Sequence, residues 1–143
     1  RSTPIKSSAA SDVYKRQSIY RTRFVYSIRR INMKKILIDL DGVLNVYDGI
    51  YDEGVIPPLR KNAREFLCKL CKDYELIIFS TRDSKLIIDW LTANNLQEYV
   101  SLVTNIKLPA FVHIDDRCIT FNGNYDETIE QIKNFKPHWR KNK

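Results

Sequence analysis

The sequence is poor in cysteine, has one methionine, and nowhere holds an apolar run that approaches a membrane span. Its three cysteines, Cys68, Cys71 and Cys118, are an odd and sparse set with no secretory signal ahead of them. That pattern points to free thiols in a reducing compartment, so a cytoplasmic location is expected. Without about 20 consecutive apolar residues the chain has no candidate membrane helix, and no membrane partner is expected. Charge of one sign is also missing where it would matter. The net charge is +7, which by itself would suggest a polyanion partner. Residues 1–32 hold eight Lys and Arg against one acid, whereas residues 33–143 hold 16 of each sign. The body therefore carries no general attraction for nucleic acid, and whatever it binds it binds locally.

The first 32 residues show no clear strand or helix period. SSAASDVYKRQ resembles translated adapter sequence from shotgun assemblies, and Met33 directly precedes KKILIDLDGVLN. The expectation is that residues 1–32 are an unstructured, non-native leader and that the native protein begins at Met33, with 111 residues. An organellar transit peptide and a basic nucleic-acid tether are the two competing readings. At this length the body, residues 33–143, is one domain.

Within the body, apolar runs alternate with helical patterns. KILIDL (35–40) reads as a buried strand ending at Asp39 to Asp41. A loop rich in Gly, Asp and Tyr follows, and Pro57 and Pro58 introduce a helix to about residue 72, with Leu59, Ala63, Phe66, Leu67 and Leu70 on one face. ELIIFS (75–80) is a second strand. Asp83 or Ser84 caps the next helix, and Asn94 and Asn95 end it. YVSLVT (99–104) and AFVHID (110–115) are the third and fourth strands, CITF (118–121) a short fifth, and a last helix spans about 126–135. Such alternation predicts an α/β fold: a three-layer sandwich on a five-stranded, mainly parallel sheet with helices on both faces.

In sheets of that kind, ligands bind beyond the carboxyl ends of the strands. Asp39 and Asp41 fall after the first strand, Ser80 and Thr81 after the second, Asp115 and Asp116 after the fourth. Four carboxylates in one crevice are costly to desolvate unless a cation joins them. Hard oxygen donors suit Mg²⁺, which keeps several waters and is commonly completed by a substrate phosphate. Gly42 lets the backbone turn and approach a ligand closely. A carboxylate can also attack phosphorus, Lys107 can supply a point charge, and Ser80 or Thr81 can donate a hydroxyl to a phosphate oxygen.

These segments resemble the haloacid dehalogenase-like (HAD) superfamily. KILIDLDGVLN looks like its first motif, ELIIFSTR like the second, Lys107 in NIKLPA like the third and FVHIDDR like the fourth, in order across residues 35–122. The resemblance implies a Rossmannoid sheet in the order 3-2-1-4-5. It also implies a magnesium-dependent phosphate monoester hydrolase working through an aspartyl-phosphate. Asp39 would be the nucleophile and Asp41 the acid and base, while Ser80, preferred over Thr81, and Lys107 steady the phosphoryl group. The metal would be held by Asp39, the main-chain carbonyl of Asp41 and Asp115, with Asp116 as a ligand or as a partner behind it. Only 30 residues separate Leu44 from Glu75, and 25 separate Thr81 from Lys107, so a cap domain of ~50 residues fits in neither place. The expected member is small and capless, with residues 45–56 as a flap.

The resemblance leaves the substrate open: nucleotide, polynucleotide end, sugar and phosphoprotein all qualify, and nucleic acid enters only as a substrate. Oligomeric state is open as well. A catalytically silent binding or regulatory module on the same fold is the alternative, and a nucleic-acid-binding protein using the basic leader is a third. Arg82 is expected to pair with a nearby carboxylate, Cys68 and Cys71 to line the core, and His113 to pack. His138 and Trp139 are expected in a solvated basic tail.

Overall fold

The computed structural model describes residues 32–140. The expected leader lies outside the described residues except for Asn32, and the chain divides into two units at Met33–Lys34. Among the described residues no helix is long and apolar enough to cross a membrane.

Four strands form one sheet: β1 Lys34–Ile38, β2 Tyr74–Phe79, β3 Val100–Thr104 and β4 Val112–Ile114. Their order is β3-β2-β1-β4, and every pairing is parallel, with Ile38 opposite Ile78 on one side and Ile114 on the other. Parallel neighbours require crossovers. Helix α1, Ala63–Leu70, joins β1 to β2, and α2, Ser84–Ala93, joins β2 to β3. After β3 the chain returns to the far side of β1, so the direction of winding reverses between β1 and β4. A crevice opens beyond the carboxyl ends at such a reversal.

The alternation of side chains decides the core. Ile36 and Ile38 from β1 and Leu76 and Ile78 from β2 pack with Leu67 of α1 and with Ile87 and Leu91 of α2. Leu37 and Ile77, pointing to the opposite face by the two-residue period, are buried as well. Both sides of the central strands are thus dry, which explains why they read as continuous apolar runs.

The expected fifth strand does not form: residues 118–121 pair with nothing in the sheet. β4 is only three residues long, and it is an edge strand of the sheet, paired with β1 alone. The third layer is affected in turn. Helix α3, Tyr125–Lys133, is capped by Asn124 but buries none of its residues, and Ile129 and Ile132 stay exposed. The first helix also starts later than Pro57 and Pro58 suggest. Pro58 O accepts from Val46 N at 2.9 Å and Leu44 O accepts from Arg60 N at 2.9 Å, and Asn45 and Leu59 form an isolated antiparallel bridge. Residues 58–60 therefore close the loop that follows β1 instead of beginning the helix. The second helix matches its expected cap: Asp83 Oδ1 accepts from Leu86 N at 2.9 Å. Residues 45–62 hold turns and that bridge, with no inserted domain.

Candidate metal centre

β1 delivers Asp39 and β4 delivers Asp115 and Asp116 to the same rim. Asp39 N donates to Ile114 O at 2.8 Å, so the β1–β4 ladder runs one residue past β1 and fixes where the Asp39 side chain leaves the sheet. Asp39, Asp115 and Asp116 each offer one ligand atom, and these atoms lie within 4.8 Å of one another. Three carboxylates at that spacing repel, and the cost appears at Asp39. Its pKa rises from 3.8 to about 7, chiefly through burial and then through the charges of Asp115, Asp116 and Asp41, against a backbone hydrogen bond from Leu40 that lowers it.

Asp116 is enclosed, with a side chain 2% exposed. Its Oδ2 accepts from Trp139 Nε1, while Oδ1 has no hydrogen bond. Arg117 Nε lies 4.0 Å from Oδ1, at the outer limit of an ion pair and beyond hydrogen-bond length. Arg117 N closes a local turn on Asp115 Oδ1 at 2.7 Å.

Gly42 makes the crowding feasible. Its φ is +82°, and a Cβ there would sit 2.4 Å from Asp116 Oδ2. The close approach expected of Gly42 is thus to a carboxylate of the cluster. Its N–H donates to Asn45 Oδ1 at 3.1 Å and its carbonyl accepts from Arg60 Nη2 at 3.0 Å.

The Asp41 side chain does not join the three-carboxylate group. Its Oδ1 accepts from Asn45 Nδ2 at 2.8 Å and its Oδ2 from Arg82 Nε at 2.7 Å. Ser80 is buried; its N–H donates to Thr104 O at 3.0 Å, and its hydroxyl oxygen accepts from Arg82 N at 3.3 Å. Thr81 is exposed. Lys107, also exposed, forms no ion pair among the described residues, and its charge is felt at the Cys118 thiol, which in turn feels Asp115 and Asp39.

Arg82 pairs with a carboxylate as its position suggests. Cys68 and Cys71, on and just after α1, form no disulfide; the Cys71 thiol donates to Cys68 O at 3.3 Å, and His113 meets Phe79 edge-on at 6.4 Å. Asn45 and Trp139 escaped the sequence. Asn45 is fully buried and ties Asp41 to Gly42; its place four residues after Asp41 was the available signal. Trp139 corrects the expectation of a solvated tail: the 3₁₀ turn His138–Arg140 brings its ring to the cluster, because indole gains both packing and an acceptor there.

The fold and site together define an α/β protein with a carboxylate cluster, able to hold a metal ion, at the carboxyl rim of a parallel sheet. No family model matches the sequence, and no curated protein matches it. A solved structure of a conserved protein coded by a locus of Bacteroides thetaiotaomicron is similar, at 25% identity over 73% of this chain and 93% of that one, with a TM-score of 0.47.

Proposed function

We propose that the chain is a magnesium-dependent phosphate monoester hydrolase of the HAD type, with Asp39 as the nucleophile. The observation that carries this reading is the convergence of Asp39, Asp115 and Asp116 from two strand ends, with an enclosed Asp116 oxygen that no hydrogen bond satisfies. A buried carboxylate oxygen without a donor costs free energy that a cation recovers. The donors are all hard oxygens, which fits Mg²⁺. When bound by these three residues, and by the Asp41 carbonyl that the family resemblance adds, the ion would offset charge on the phosphate.

The chain's own residues supply the rest. The Asp39 carboxylate attacks phosphorus and the ester P–O bond breaks, with the departing alkoxide taking a proton from the Asp41 carboxyl. Asp41 then takes a proton from water, which cleaves the aspartyl-phosphate and regenerates Asp39. Each Asp41 oxygen accepts a single donor here, so a lone pair remains for the proton it must carry. Ser80 and Lys107 would steady the phosphoryl oxygens.

The test is p-nitrophenyl phosphate hydrolysis by the full chain with Mg²⁺. The expected result is turnover that EDTA abolishes and that Asp39→Asn eliminates. Undiminished turnover in Asp39→Asn would refute the assigned nucleophile, and no turnover on any of a panel of phosphate monoesters would favour a silent binding module.

A further inference from the structure

The C-terminal end of the described chain comes back to the carboxylates. Arg140 N donates to Pro137 O at 3.0 Å, closing the turn that presents Trp139 to the loop following β1. The fit is tight. A Cβ added at Gly49 would fall 2.9 Å from the Trp139 ring, and one at Gly42 would fall 3.2 Å from its Nε1. Tyr47, itself buried, meets the ring edge-on with centroids 5.6 Å apart. The indole N–H can only donate, and the acceptor it finds is Asp116 Oδ2.

Two features of that bond go beyond packing. First, the donor is neutral. A Lys or Arg at this position would cancel the carboxylate charge and compete with a cation, whereas an indole fixes the carboxylate and adds no charge of its own, so that the only cation near Asp116 among the described ion pairs is Arg117, 4.0 Å from Oδ1. Second, it occupies one oxygen only. Oδ2 is engaged by Trp139 and lies beside Gly42, and Oδ1 is left enclosed and without a hydrogen bond. Partners behind a metal ligand commonly fix its orientation in this way.

We infer that Trp139 is a positioning residue of the proposed metal centre: its N–H anchors Asp116 Oδ2 and so presents Asp116 Oδ1 to the divalent cation shared with Asp39 and Asp115. This rests on the metal-binding part of the proposed function. It makes the turn His138–Arg140 part of the site.

Titration of the full chain with Mn²⁺, a paramagnetic stand-in for Mg²⁺, separates the possibilities. Calorimetry should show one site per chain in the wild type. Trp139→Phe, which keeps the ring but loses the donor, should weaken binding about tenfold or more, and Trp139→His, which restores a ring N–H, should recover part of the loss. Mn²⁺ should also quench Trp139 emission, read in Trp90→Phe so that the other indole is silent. Wild-type affinity in a folded Trp139→Phe overturns the inference alone. If that variant does not fold, the quenching decides, and emission unmoved by saturating Mn²⁺ overturns it. A wild type that binds no Mn²⁺ overturns both the inference and the metal centre beneath it.

Discussion

Arg82 Nε donates to Asp41 Oδ2 at 2.7 Å from a side chain with no solvent exposure. The two residues follow β2 and β1, adjacent parallel strands, so the sheet itself sets their separation. The guanidinium does more than pair. Its Nη1 donates to the carbonyls of Asp52 at 2.5 Å and Val55 at 3.1 Å, and the Tyr51 ring covers it with the cation 4.5 Å from the centroid. Arg82 therefore ties residues 51–55, part of the expected 45–56 flap, to Asp41.

Replacing Arg82 with Met keeps much of the bulk and removes both functions. A broken buried pair costs about 3 kcal/mol because the surviving charge loses its partner. Urea denaturation of Arg82→Met should show a loss of that order, and limited proteolysis should cut within residues 48–56 faster than in the wild type. Stability within about 0.5 kcal/mol of wild type, the range of an ordinary surface substitution, would show that the pair carries little.

Gly42→Ala should damage the protein twice over. At φ +82° an L side chain is strained by about 1–2 kcal/mol, and the new Cβ would meet Asp116 Oδ2 at 2.4 Å. The expected outcome is a lower unfolding midpoint together with weaker Mg²⁺ binding, both measured on the purified variant. Unchanged Mg²⁺ affinity would separate Gly42 from the cluster.

The raised pKa of Asp39 predicts the pH dependence of the metal-free protein. A carboxyl that titrates near 3.8 in the unfolded chain and at about 7 in the fold contributes stability that is full below 3.8. That contribution fades as pH rises through about 7, because the folded state holds a proton the unfolded state has already lost. In EDTA, the wild type should lose stability between pH 4 and about 7 relative to Asp39→Asn, whose neutral amide lacks this term. With Mg²⁺ the proton is displaced, so binding at pH 6 should release a proton that calorimetry in buffers of different ionisation enthalpy would detect. Equal pH profiles for the two proteins in EDTA would contradict the crowding of Asp39.

The parallel sheet and the placing of acids at its rim were legible because both depend on local pattern. The runs ILI in β1 and LII in β2 are buried on both faces, and a strand dry on both faces has to be apolar throughout. Asp39 and Asp115 could be read for the complementary reason: a charge directly after such a run must lie at the strand's end. Long-range choices were hidden. Pro57 and Pro58 carry a helix-start signal, yet the 44–46 and 58–60 segments bond to each other instead. CITF has a strand's composition, but it pairs with no strand of the sheet, which ends at β4. Trp139 stands 23 residues from Asp116, inside a run of basic residues, and nothing in that run reports the Gly42 and Gly49 surfaces that receive its ring.

The most direct measurement is an anomalous difference map from crystals soaked in Mn²⁺. The predicted result is one strong peak within about 2.2 Å, the length of a metal–carboxylate bond for hard ions of this size, of carboxylate oxygens from both Asp39 and Asp115. A map with no peak at the β1–β4 rim, or with the ion held elsewhere while Asp39 and Asp115 stand apart, would contradict the metal centre and the enzyme built on it.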